Sequence, residues 1–170
     1  MKAIGTIDSS KNFIDFEIEK PILRPHDLLI KVEAISINPV DTKVRKGIKG
    51  NLAEPKILGW DGLGTVVELG SETKLFKVGD KVFWAGDVTR SGSNAEFQAV
   101  DERIVGFAPK NLAKEKAVAM PLTSLTAYEL LFEKLEVTDE SKGKSLLIIN
   151  GAGGVGSVAI QMAKNAGLTV

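Results

Sequence analysis

Between Met1 and about Pro109, apolar residues come in short runs, each closed by a glycine or a polar turn. DLLIKVEAISI alternates in part, GTVVELG and DKVFWAG are rich in β-branched and aromatic side chains, and NAEFQAV alternates again. Period-two alternation turns one face of a strand inward, and many short strands at this spacing predict a small barrel or sandwich. Beyond Pro109 the period lengthens. Residues 111–119 and 122–134 carry helical spacing, and the second helix starts just after Pro121, whose missing N–H does no harm in a first turn. A polar turn, VTDESKGK, then separates this region from KSLLIINGAGGVGSVAIQMAKNAGLTV. The resulting map is a β domain over 1–120, a helical connector over 121–143, and one βα unit over 144–170.

That last unit holds the most specific pattern in the chain. Leu146-Leu147-Ile148-Ile149 is a continuous apolar run, as expected of a parallel strand covered on both faces. Gly151, Gly153 and Gly156 follow with G-x-G-x-x-G spacing. Val155, Val158, Ala159, Met162, Ala163 and Ala166 then fall on one helical face, and Gly167 stands where a helix stops. Strand, glycine loop, helix and stop in this order point to dinucleotide binding: the loop turns tightly, the backbone approaches a pyrophosphate, and the helix N-terminus presents N–H groups to it. A ligand-free βα turn is the alternative. A second cluster, Gly59-Trp60-Asp61-Gly62-Leu63-Gly64, leads into strand-like sequence and reads as a loop feeding a barrel strand. One βα unit cannot enclose a dinucleotide, so the chain is expected to continue for roughly 150 to 180 residues past Val170, and this stretch alone to be inactive.

Composition narrows the chemistry. The chain has 170 residues, with 22 Lys plus Arg against 22 Asp plus Glu, which leaves no net field to attract nucleic acid or anionic lipid. No apolar run suits a signal peptide or a membrane span, so a cytoplasmic protein is expected. Cysteine is absent, which removes thiolate chemistry and sulfur-ligated metal sites from the sequence. His26, the sole histidine, lies in the turn Arg24-Pro25-His26-Asp27 and reads as a plain surface residue.

Six motifs in order, ISINPVDTKVRKG, ILGWDGLGTVVELG, KVGDKVFWAG, GSNAEFQAVDERIV, PLTSLTAYELL and LLIINGAGGVGSVAIQMAK, resemble the medium-chain dehydrogenase/reductase superfamily, closest to its quinone-oxidoreductase branch. The resemblance implies a mainly β GroES-like barrel domain followed by the first βα unit of an α/β Rossmann domain, truncated here. It implies NADPH as cofactor, with NADH not excluded, a small-molecule carbonyl or quinone as substrate, and a homodimer when full length. Zinc-using members carry a cysteine and a histidine where this chain has Asn38-Pro39-Val40-Asp41, and Gly-His-Glu where it has Gly59-Trp60-Asp61. No bound zinc is therefore expected.

Each candidate residue has a plain structural alternative. Asn38 is either a turn residue before proline or, by resemblance, an amide beside the nicotinamide and the substrate. Asp41 suits a site role or simple compensation of a helix dipole. Lys43 stands where quinone reductases often have tyrosine, and is otherwise a surface lysine. Trp60 and Trp84 are either core residues or an aromatic wall for a flat substrate. Thr126 either contacts the nicotinamide carboxamide, as the resemblance implies, or back-bonds within its helix. Gly151, Gly153, Gly154, Val155 and Gly156 are the candidate cofactor loop. The expected reaction is hydride transfer from NADPH to a quinone or α,β-unsaturated carbonyl without zinc. Alternatives are an alcohol or aldehyde dehydrogenase activity, a non-catalytic NADPH-binding protein, or a stand-alone β-domain binding module.

Overall fold

The alternating segments become strands in the computed structural model, which describes residues 1–9 and 12–170. They are β1 (Lys2–Thr6), β2 (Ile14–Glu17), β3 (Asp27–Ser36), β4 (Lys56–Ile57), β5 (Asp61–Leu69), β6 (Lys81–Ala85), β7 (Phe97–Asp101) and β8 (Val105–Phe107). All pair antiparallel, in a three-stranded sheet ordered β2-β1-β4 and a five-stranded sheet ordered β7-β3-β5-β6-β8. The β3–β5 register shifts between Leu29 and Ile30 and again between Val32 and Ala34. Such irregularities increase local twist, which a sheet needs to curl towards a barrel. Between the strands, α1 (Pro39–Gly47) follows β3 directly and α2 (Lys114–Ala117) follows β8.

Inward-facing residues of this unit, Met1–Pro121, form its core: Leu28, Ile30, Val66, Val82, Trp84 and Val100 are essentially solvent-free. The Trp84 indole N–H donates to Gln98 Oε1 at 2.8 Å, so the ring is buried with its one polar atom paired. Beside that core lies a buried ion pair. Arg90 holds both carboxylate oxygens of Asp27 at 2.8 and 2.7 Å, tying the start of β3 to the loop after β6. Burial alone would raise the Asp27 carboxyl, but the Arg90 guanidinium and the Arg24 N–H outweigh it and hold the group below the usual carboxylate range.

Two expectations for this unit are corrected. The Gly59–Gly64 cluster is not all loop, since β5 already begins at Asp61 and pairs there with β3 and β6. The helix expected over 111–119 shrinks to α2, because Ala113 is extended and only Ala117 and Val118 find apolar cover, against Leu63.

The second unit, Leu122–Val170, takes in most of the expected connector. Its first helix, α3 (Pro121–Tyr128), widens into a π-helical stretch over Glu129–Lys134, closed by the Leu135 N–H to the Leu130 carbonyl at 3.0 Å. A last helix, α4 (Gly154–Asn165), packs Ala159 and Ala163 against Ala127 and Leu131, with Leu146, Ile148 and Leu168 alongside. Gly167, at φ +87°, ends it. The apolar run before the loop is extended and, within this chain, covered on one face only, as expected of a strand whose other neighbours this stretch does not supply. A single parallel bridge joins Ser145 to Thr169; Leu146 and Ile148 pack inward, while Leu147 and Ile149 are each 85% exposed. Alternation along an extended chain explains the split, because within this unit only one face has a helix to cover it. Among the described residues no helix is long and apolar enough to cross a membrane.

Candidate functional site

Pro39 at the first position of α1 biases the preceding residue away from helix, and Asn38 is extended at φ −119°, ψ 158°. That places Asn38 as the helix cap, buried, with its carboxamide turned inwards: Nδ2 donates to Asp61 Oδ2 at 2.8 Å. Asp41, one turn into α1, is also buried. Its Oδ2 accepts the Asn38 N–H at 2.8 Å and its Oδ1 accepts the Gly59 N–H at 3.0 Å. Gly59 has φ +106°, and a Cβ there would stand 2.4 Å from Ser93 Oγ and 2.9 Å from the Asn94 nitrogen. Glycine is required on both counts. Ser93, fully buried, donates its hydroxyl to the Asp61 carbonyl at 2.9 Å and its N–H to the Gly59 carbonyl at 3.0 Å. Three separate chain segments thus meet at one polar knot.

The structure sorts the candidates of this unit. Asn38 and Asp41 come together, and Asp41 uses both oxygens to hold backbone amides, which fixes the loop. Lys43 lies exposed on α1, and among the described residues no hydrogen bond joins it to the knot. Trp84 is 1% exposed in the β core and Trp60 is 8% exposed, so both pack as core residues in this chain. Neither lines the open cavity of about 1010 Å³ in this unit, whose walls include Phe13, Phe16, Ile35, Ile37, Thr42 and Arg45. His26 is not a plain surface residue. Its Nε2 lies 3.2 Å from Glu72 and its Nδ1 3.6 Å from Glu102, whose other oxygen accepts the Lys74 and Leu75 N–H groups.

Sequence reasoning missed two members of the knot, Asp61 and Ser93. The signal for Asp61 was present: a carboxylate at the head of the apolar strand DGLGTVVEL has to be matched by a partner if it is buried. Ser93 gave none, since a serine in the turn SGSN looks like any other.

In the second unit the glycine loop is drawn tight. Asn150 takes a left-handed conformation at φ +61°, and its carbonyl accepts the Gly153 N–H at 3.0 Å. A Cβ on Gly156 would stand 2.4 Å from that same carbonyl oxygen and 2.7 Å from Gly151 Cα, so helix and loop touch backbone to backbone. The first helical bond of α4 runs from Ser157 to Gly153 at 2.8 Å. The N–H groups of Gly154, Val155 and Gly156 therefore precede the internal ladder and face outwards along the axis. Gly154 lets Thr123 approach, its absent Cβ being 3.1 Å from Thr123 Cγ2. Thr126 gives its hydroxyl proton to the Leu122 carbonyl at 2.8 Å, which is the back-bonded arrangement; its oxygen lone pairs are left to accept. A phosphate cradle fits this loop, because the turn before the free N–H groups of α4 closes tightly on Asn150 and Gly151 only where Gly153 and Gly156 carry no side chain. A zinc site fits less well: among the described residues no three His, Cys, Asp or Glu side chains converge to hold a metal ion, and Asn38, Asp41 and Asp61 are bonded to one another or to backbone.

Comparison with known proteins accords with both halves. A zinc-type alcohol dehydrogenase-like protein of Staphylococcus epidermidis is 46% identical over the whole chain, which covers 52% of that protein. A 2-methylene-furan-3-one reductase of Solanum lycopersicum is 40% identical over 95% of this chain and 42% of its own length. The crystal structure of Escherichia coli quinone oxidoreductase complexed with NADPH superposes with a TM-score of 0.81 at 27% identity, over 99% of this chain and 51% of that one. The chain thus spans about half the length of the relatives it matches. Residues 24–122 match the alcohol dehydrogenase GroES-like domain, and the chain belongs to the medium-chain dehydrogenase/reductase superfamily, of which it represents the N-terminal half.

Proposed function

We propose that this chain is the acceptor-handling half of an oxidoreductase that passes a hydride from NADPH to a quinone or α,β-unsaturated carbonyl without zinc. The observation that carries the reading is the backbone-to-backbone closure at Gly156, which sets a tight glycine loop directly before the α4 N-terminus. Gly151, Gly153, Gly154, Val155 and Gly156 would hold the pyrophosphate, and Thr126 would accept from the nicotinamide carboxamide. The bound cofactor supplies the hydride. Asn38 has one Nδ2 proton on Asp61 and a second to give, which would meet the acceptor's carbonyl oxygen as negative charge develops on it. Holding a donor there without titration suits a conjugated acceptor, which spreads the charge itself, and the balancing proton comes from solvent. An unsaturated-ketone reductase and a quinone oxidoreductase among the relatives support this class of acceptor.

The test is fluorescence titration with NADPH and NADH, and turnover with a quinone and an enone, on this chain and on the reading frame extended past Val170. NADPH binding with reduction of either acceptor by the extended form but not by this chain alone, at less than one zinc per chain by elemental analysis, is the expected result. A protein that turns over only alcohols and retains one zinc after dialysis against chelator would replace this reading with a zinc alcohol dehydrogenase.

A further inference from the structure

Asp61 is a carboxylate with no exposed surface at the head of a strand whose neighbours Leu63 and Val66 are core residues. Burying a charge there is unfavourable, and an apolar side chain would serve the strand better, unless the carboxylate has work to do on a partner. One such partner is Asn38 Nδ2, at 2.8 Å. We propose that Asp61 is the positioning residue for the Asn38 carboxamide; this rests on the role given to Asn38 above.

A carboxamide has two ends of nearly equal shape, one donating and one accepting, and left alone it presents either. Here the Asp61 Oδ2 accepts from the Nδ2 end. Facing Asp61, the Asn38 group has one allowed orientation, with the NH₂ end inward and the second N–H in a fixed direction. The frame on either side is fixed as well. Asp41 holds the Asn38 backbone through its N–H, and Ser93 holds the Asp61 backbone through its carbonyl. Gly59 links the two clamps, giving its N–H to Asp41 and its carbonyl to Ser93. With both main chains pinned, the Asp61–Asn38 bond has a single remaining freedom to remove, the flip of the amide.

Side-chain amide protons of Asn38 in the 170-residue chain, observed by nitrogen-15 NMR, test the lock directly. In the native protein one Asn38 Nδ2 proton should exchange with solvent at least about tenfold more slowly than those of exposed asparagines, and Asp61→Ala should abolish that protection while β3 and β5 backbone protection persists. Equal Asn38 exchange in native and variant proteins overturns the proposal. If Asp61→Ala does not fold, Asp61→Asn, which keeps the shape and loses the charge, should still speed exchange; an unchanged rate overturns the proposal equally. Turnover in the extended reading frame separates the lock from the function. Asp61→Ala and Asn38→Ala should each lower kcat about 10- to 100-fold with little change in NADPH affinity, and the double variant should be no slower than either one. Additive losses would overturn the positioning role. Loss of proton protection with kcat unchanged in both single variants would leave the lock standing and remove Asn38 from the reaction.

Discussion

At Asp41, one side chain replaces two hydrogen-bonding partners that the loop cannot otherwise supply, the acceptors for the Asn38 and Gly59 N–H groups. Asp41→Ala leaves both buried amides without the Asp41 acceptor, and stability should fall by about 2–6 kcal/mol, at about 1–3 kcal/mol for each unsatisfied group. Urea denaturation followed by tryptophan fluorescence measures this, with Trp60 and Trp84 both in the unit concerned. Lys43→Ala, two residues on and on an exposed face of α1, should change stability by less than about 0.5 kcal/mol. The contrast shows what the sequence can and cannot tell about a site. Asn38, Asp41 and Lys43 stand together in NPVDTK and looked alike as candidates, but the order of residues does not tell which way a helix turns them. Only Gly59, 18 positions from Asp41, decides that Asp41 is buried and Lys43 is not.

Among elements, α4 is the most legible, because a stripe of six apolar residues, a glycine stop and a glycine start all agree. Its packing on Ala127 and Leu131 follows that stripe residue for residue. The extended segment before it is less legible, because an unbroken apolar run is compatible with cover on one face or two, and only tertiary structure decides. At the other end of α4, Gly156 has no tolerance: Gly156→Ala would put a carbon 2.4 Å from the Asn150 carbonyl. The loop must open, and NADPH affinity in the extended protein should fall by at least about tenfold, as read by fluorescence titration, while the β unit melts unchanged. At β3, the Asp27–Arg90 pair predicts a pH dependence. A carboxyl whose folded pKa is depressed stabilises the fold above its unfolded pKa, and that contribution disappears as pH falls through the folded value. Stability measured by urea midpoint should therefore decline from about pH 4 downwards. Arg90→Met should lower it at pH 7 by about 3 kcal/mol and flatten the acid slope, since Asp27 then lacks the partner that depresses it.

For the whole molecule, two units of different grammar share one chain: a β unit held by long-range antiparallel pairing, and a helical unit built from neighbours in sequence. The pattern from Met1 to Pro109 announced the first through alternation and glycine spacing, and the motif order announced its superfamily. Less of the sheet order was readable, since β7 pairs with β3 across more than sixty residues and nothing local specifies that partner. Leu147 and Ile149 carry the largest practical consequence. Two branched side chains, each 85% exposed on an extended segment with a single bridge, form an adhesive ridge that water solvates poorly. Concentrated solutions of the 170-residue chain should scatter light and brighten the dye ANS. Replacing both residues with lysine should suppress both signals and leave the melting temperature within about 2 °C, because neither side chain contributes to the interior. The shelf life of a purified sample would then be governed by a patch two residues wide, and a crystallographer or spectroscopist would gain more from that pair of substitutions than from any change to the core.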